Sequence, residues 1–311
     1  MIFKKKYLYI SLLSSIGLVF MGIGMSITPD LTKEYIEKKY TNNASKFICI
    51  DNLNVHYRDE GKGMPVVLIH GTSSSLHTWE DWTKILTQSY RVIRMDLPGF
   101  GLTGPNADHN YSIEYYADFL DKFLTKLDIK SIYLAGNSLG GLIAWYYTSH
   151  HLDQIKKLML LDPAGFHNYQ EIPFVFKLAR IPLINKLVGK ITPKFFIEKN
   201  LKEVYHDTEK VTNHLIERYH DLTLRVGNRA AFIKKANQPI KDHTMRLKLI
   251  TSPTLILWGR NDHWIPVTNA TKFLKELPNA ELKIMEETGH IPMEERPLES
   301  VAHIIKFLNR H

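Results

Sequence analysis

The chain has one cysteine, Cys49, in 311 residues. It can form no internal disulfide and no cysteine-based zinc site. Its fifteen histidines include no His-Glu-x-x-His pattern, so no metal site is expected. Low-complexity tracts and internal repeats are also lacking, which leaves a disordered or solenoid reading with little support. Over most of its length the chain lacks an excess of either charge. The net charge of +8 sits in residues 164–250, with 16 basic against 8 acidic residues, while the remainder holds 24 of each. A general nucleic-acid footprint is thereby disfavoured, leaving a local basic surface or a solvated helical face. What is present is ordinary globular composition, 44% apolar and 23% charged, at a length suited to one α/β domain with an insertion.

The N-terminus holds the one long uncharged stretch. Lys4, Lys5 and Lys6 precede residues 7–29, which lack charge and include Leu8, Ile10, Leu12, Leu13, Ile16, Leu18, Val19 and Phe20. As a helix rising ~1.5 Å per residue, this stretch would cross a bilayer core of ~30 Å. Residues 1–30 are therefore expected to be a membrane anchor, with the basic cluster cytoplasmic and the body on the non-cytoplasmic side. The alternative is a signal segment cleaved on secretion, for which Gly24-Met25-Ser26 is a poor cleavage site. The polar residues 31–45 read as a linker or helical stalk.

From residue 46 onward, strand and helix patterns alternate. A hairpin is expected over 46–57, followed by a doubly buried strand at Val66-Val67-Leu68-Ile69. Further strands are expected at 91–95, 131–135, 158–161, 254–257 and 281–285. Between them, Ser112 is placed to cap a helix carrying Tyr115, Tyr116, Phe119, Leu120, Phe123 and Leu124 at spacings of three and four. Alternation of this kind predicts a mostly parallel sheet with helices on both faces. It stops over 165–249, where the pattern is helical and broken by Pro173, Pro182, Pro193 and Gly227. An inserted helical cap is expected there, between the fifth and sixth parallel strands. The catalytic domain would then comprise 46–164 and 250–311.

Chemistry concentrates at strand ends. Gly136-Asn137-Ser138-Leu139-Gly140 fits Gly-x-Ser-x-Gly, with an apolar strand before it and a helix after it. Such a turn is too tight for side chains at its glycines, and it lifts the Ser138 hydroxyl clear of the sheet. A serine nucleophile needs a base and an acid to orient that base. His290, in Thr288-Gly289-His290, and Asp262, in Gly259-Arg260-Asn261-Asp262, follow the last two strands. Asp162, before Pro163, also ends a strand and is the alternative acid. Backbone donors for an oxyanion are expected from Leu139, at the start of the helix, and Thr72, in His70-Gly71-Thr72-Ser73. His70 reads as a structural hydrogen-bonding residue.

Taken together, His70-Gly71, Asp96-Leu97-Pro98-Gly99-Phe100-Gly101, Gly136-Asn137-Ser138-Leu139-Gly140-Gly141, Gly259-Arg260-Asn261-Asp262 and Gly289-His290 resemble the α/β-hydrolase superfamily. The resemblance spans about residues 46–311. It implies an eight-stranded sheet with an inserted α-helical cap and a hydrolase needing no cofactor. The expected function is a serine esterase or lipase-like hydrolase of small-molecule or lipid esters, acting through an acyl-enzyme. Gly-Asn-Ser-x-Gly-Gly also looks like the carbon–carbon bond hydrolases of meta-ring-fission products. Those carry a Gly/Pro-rich loop after His-Gly, whereas this chain has Thr72-Ser73-Ser74-Ser75. A non-catalytic membrane-anchored binding protein on the same fold is the alternative of another class. Acyl length, acyltransfer or peroxidase-like chemistry, and oligomeric state are left open by the sequence.

Overall fold

The computed structural model describes residues 27–166 and 172–310. Eight strands form one open sheet: β1 (Ser45–Ile50), β2 (Leu53–Gly61), β3 (Pro65–Ile69), β4 (Arg91–Met95), β5 (Ile132–Asn137), β6 (Ile155–Leu161), β7 (Thr254–Gly259) and β8 (Ala280–Met285). Their spatial order is β1-β2-β4-β3-β5-β6-β7-β8. The first two pairings, β1 with β2 and β2 with β4, are antiparallel, and the rest are parallel. From β3 the chain steps outward to β4, then returns to place β5 on the other side of β3. This reversal opens a crevice at the carboxyl ends of β3 and β5, where open α/β sheets bind ligands.

The strands bury both faces, and their alternation divides the core. Val67, Ile69, Leu134, Leu160 and Trp258 join one apolar cluster, while Val66, Leu68, Ala135, Leu161 and Leu257 join the other. Helix α1 (Lys33–Tyr40) precedes the sheet, and α2 (Glu80–Leu86), α3 (Ile113–Lys126) and α4 (Leu139–Thr148) connect its strands. Ser112 caps α3 as expected, its side chain accepting the Tyr115 N–H.

The helical insertion carries α5 (Phe174–Arg180), α6 (Ile184–Val188), α7 (Lys194–Val204), α8 (Asn213–Leu224) and α9 (Asn228–Ala236). It lies between β6 and β7, which are the fourth and fifth parallel strands rather than the fifth and sixth. Helices α10 (Thr268–Glu276), α11 (Pro292–Glu295) and α12 (Pro297–Leu308) complete the fold. The cap shares the core below it, since Leu201, Val204, Leu215 and Ile216 pack in the same cluster as Met285 and Ile291.

One N-terminal expectation meets a different outcome. Most of the apolar stretch at 7–29 lies outside the described residues. Among the described residues no helix is long and apolar enough to cross a membrane. The end of that stretch instead serves the body: Thr28 donates its N–H to Lys190 O at 2.9 Å. Asp30 pairs with Arg229 at 2.6 Å. The expected anchoring, with the body held on the non-cytoplasmic side, is therefore not supported. Residues 31–45, read as a linker or stalk, hold the docked helix α1, whose Ile36 and Tyr40 are buried with Leu102 and Leu222.

Candidate active site

Ser138 lies between β5 and α4 with φ 54° and ψ −116°, a strained backbone for a residue with a side chain. The glycines around it answer to close approach. A Cβ on Gly136 would fall 2.1 Å from Gly140 O, and one on Gly140 would fall 2.1 Å from Ile69 O. The turn is tied to the neighbouring strand, since Ser138 N–H donates to Leu161 O at 3.1 Å. Ala164 N–H in turn donates to Ser138 O at 3.0 Å. Leu139 is the first residue of α4, so its N–H has no helical acceptor and faces the N-terminal end of the dipole.

The loop after β3 runs alongside. A Cβ on Gly71 would come within 3.1 Å of the Ser138 Cβ, and Thr72 lines the same cavity as Ser138. His70 fixes this loop. Its Nε2 accepts the Leu97 N–H at 3.0 Å, so the proton is on Nδ1, which donates to Gly71 O at 2.7 Å. Full burial holds the ring pKa below the ordinary histidine value. The residue is a neutral strut between two loops.

His290 and Asp262 form a buried pair. The Nδ1 of His290 is 2.6 Å from Asp262 Oδ2, and both side chains are buried. Asp262 Oδ1 accepts the N–H groups of Trp264 and Ile265 at 2.8 and 2.9 Å, so its carboxylate has a donor on each oxygen. Its position fixes Nδ1 as the protonated nitrogen and leaves Nε2 as the basic one. Nε2 is buried with no hydrogen-bond partner, and His290 and Ser138 line the same cavity. Contacts of this kind are often long before substrate binds.

Asp162 lies beside this pair. One donor atom from each of Asp162, Asp262 and His290 can be chosen so that all lie within 4.8 Å of one another. Although that grouping could suit a cation, both Asp262 oxygens are already engaged by protein donors. Asp162 makes no hydrogen bond to His290; its Oδ1 accepts Gly259 N–H at 2.9 Å.

Three supporting features were not visible in the sequence. Asn137, between the glycine and the serine, donates from Nδ2 to Leu161 O and His290 O at 3.2 and 2.9 Å. Glu295, 2% exposed, accepts N–H groups from Gly289, His206 and Asp207. Glu294 accepts from Tyr205, Arg218 and Tyr219, and the Tyr219 hydroxyl lies 3.2 Å from Ser74 Oγ. The one available signal was two adjacent acids just past a glycine-histidine pair, in a segment otherwise apolar.

A cavity of about 160 Å³ extends from Ser138 and His290 beneath the cap. Phe100, Phe176, Phe196, Leu201, Phe232 and Trp264 supply much of its wall. Arg229 also lines it, but its guanidinium is spent on Asp30, the Thr28 carbonyl and Thr192 Oγ1.

Comparison with known proteins agrees with this fold. Residues 64–297 match the family model for the alpha/beta hydrolase fold. An uncharacterized hydrolase, YugF, of Bacillus subtilis (strain 168) is 27% identical over 267 residues, covering 83% of this chain and 96% of that protein. A 2-hydroxy-6-oxononadienedioate/2-hydroxy-6-oxononatrienedioate hydrolase of Cupriavidus pinatubonensis (strain JMP 134 / LMG 1197) is 28% identical over 262 residues, covering 79% and 89%. Among solved structures, a membrane phospholipase A described as a bacterial virulence factor superposes with a TM-score of 0.76 at 25% identity. That superposition covers 99% of this chain and 98% of the other.

Proposed function

The chain belongs to the alpha/beta hydrolase fold family, and from that premise we propose that it is a serine hydrolase of carboxylic esters with extended apolar acyl chains. In this reading His290 takes the Ser138 proton through Nε2, and Ser138 attacks the ester carbonyl. The N–H groups of Leu139 and Thr72 hold the oxyanion. The alcohol leaves with the proton from His290. Water, deprotonated by the same histidine, attacks the acyl-enzyme and releases the acid with Ser138 restored.

The observation that carries the ester reading is the cavity wall. Aromatic and aliphatic side chains enclose the space next to Ser138, and the Arg229 charge is already matched by Asp30. A long acyl chain gains from such a wall, whereas a dicarboxylate would need a free cation. The phospholipase A neighbour, an ester hydrolase by name, supports the same assignment.

A second reading is carbon–carbon bond hydrolysis of ring-fission diketones. The Gly136-Asn137-Ser138-Leu139-Gly140-Gly141 turn and the dienedioate hydrolase relative favour it. Turnover of p-nitrophenyl esters of graded chain length, measured beside turnover of a 2-hydroxy-6-oxo-dienoate, separates the two. Ester turnover lost in Ser138→Ala is the expected result. Diketone cleavage with negligible ester turnover would overturn the ester assignment, and full ester activity in Ser138→Ala would overturn both.

A further inference from the structure

Asp162 is a buried carboxyl without a conventional role. It follows β6, with φ 43°, and its side chain is 0% exposed. Its Oδ1 accepts the Gly259 N–H at 2.9 Å. Its Oδ2 is buried and has no hydrogen-bond partner. An ionised carboxylate in that position would leave a charged oxygen with no donor, at a cost far above that of a neutral group.

The neighbour that could satisfy Oδ2 is Asp262, since the two carboxyls and His290 form one tight cluster. Two carboxylates at such separation do not both ionise in a dry site. The donors decide which one keeps the charge. Asp262 has Trp264 N–H and Ile265 N–H on Oδ1 and the His290 ring on Oδ2. Asp162 has one backbone N–H.

We infer that Asp162 is a neutral carboxylic acid at neutral pH, and that its Oδ2–H donates to the Asp262 carboxylate and positions the Asp262–His290 pair. Burial first, then the Asp262 charge, raises the Asp162 pKa well above the carboxylate range, in the same direction as the geometry. The titratable groups facing it are Asp262, His290 and Glu295, and the Gly259 N–H opposes them only in part. Asp162 is thus a positioning residue. It does not compete with Asp262 for the imidazole; it supplies a donor to the acid that does. Its kinetic consequences rest on the serine-hydrolase reading, but its protonation does not.

Infrared difference spectroscopy of the full chain at pH 7 tests the protonation. A carboxylic-acid C=O band present in the wild type and lost in Asp162→Asn is expected. Absence of that band overturns the inference whether or not the protein is an esterase. Asp162→Asn, whose amide can donate to Asp262 and still accept from Gly259, should unfold at a higher denaturant concentration than wild type at pH 7. The difference should close as pH falls through the ordinary carboxylate range, because the unfolded Asp162 then also binds its proton. In kinetics, Asp162→Ala should lower kcat about tenfold with KM unchanged, and Asp162→Asn should restore most of the loss. Collapse of kcat in Asp162→Asn with activity retained in Asp262→Asn would mean that Asp162 is the ionised acid, and the inference would fail. A wild type with the band but without ester turnover would fail the functional reading alone.

Discussion

The carbonyl of Val204, at the end of the cap helix α7, accepts the backbone N–H of His290 at 2.7 Å. The proposed base is therefore held by the cap as well as by the loop that carries it. Glu295 reinforces the joint, with Oε2 on the Gly289 N–H and Oε1 on the N–H groups of His206 and Asp207. The segment that bears His290 and the segment that leaves α7 share one buried carboxylate.

Removing that carboxylate should loosen both. Glu295→Ala leaves one buried and two part-buried N–H donors without their acceptor, at a cost of about 3 kcal/mol. Urea unfolding should show that loss, and ester turnover should fall in kcat more than in KM because His290 loses its support. Glu295→Gln, which keeps one acceptor oxygen, should be milder in both. Wild-type kcat in a folded Glu295→Ala protein would disprove the coupling.

Acidification should destabilise the protein through a group remote from the reaction. Burial, reinforced by Arg58 and Arg218, pushes His77 from 6.5 down to about 3, against the opposing influence of Asp96. Below pH 6.5 the unfolded chain binds a proton at this histidine that the folded chain refuses. Stability is thus intact above pH 6.5 and declines as pH falls toward 3, by up to about 1.4 kcal/mol per pH unit. Denaturant midpoints between pH 7 and 4 should fall less steeply for His77→Asn, whose amide can still donate to Tyr40 O. Equal slopes would remove His77 from the account.

Chain-length dependence reports on the cavity. Burial of each added methylene is worth ~0.8 kcal/mol, so kcat/KM should rise up to about fourfold per methylene until the wall is filled. Phe176→Ala, which removes an aromatic wall residue beside Trp264, should cost the long-chain esters and spare acetate. A flat profile from acetate to decanoate would place the acyl chain elsewhere.

Local sterics explain why so much of the site was legible in the sequence. The turn around Ser138 is written in short-range spacing, since Gly136 and Gly140 must be glycine wherever a strand and helix meet so closely. Asp262 and His290 could be nominated because strand ends are where such sheets place side chains, and the structure does bring the two into contact, with His290 lining the cavity that Ser138 lines. The supporting contacts were not legible, because each joins residues far apart in the chain. Asn137 reaches the His290 carbonyl, Arg218 reaches Glu294, and Val204 reaches His290, and no periodicity encodes those meetings. The expected anchoring, for its part, was read from a local apolar run alone and is not supported among the described residues, where the end of that run makes hydrogen bonds to the cap.

That end of the chain also bears on specificity. Asp30 holds the Arg229 guanidinium at 2.6 Å, and Leu31 pairs with the cap through Leu224 O and the Val226 N–H at 2.8 and 2.9 Å. Arg229 lines the cavity and is 5% exposed, so its charge is masked where substrate would lie. Asp30 is partly exposed, and Asp30→Asn should cost only about 1 kcal/mol of stability. Its larger effect should be on selectivity, because the variant leaves a cation in an apolar wall without its matching charge. The ratio of kcat/KM for a p-nitrophenyl hemi-ester of a dicarboxylic acid to that for the apolar ester of equal length should rise about tenfold. Arg229→Met, which removes the cation and keeps the bulk, should abolish that gain when combined with Asp30→Asn. An unchanged ratio in Asp30→Asn would mean that the guanidinium stays bound to Thr28 O and Thr192 and never meets the acyl chain.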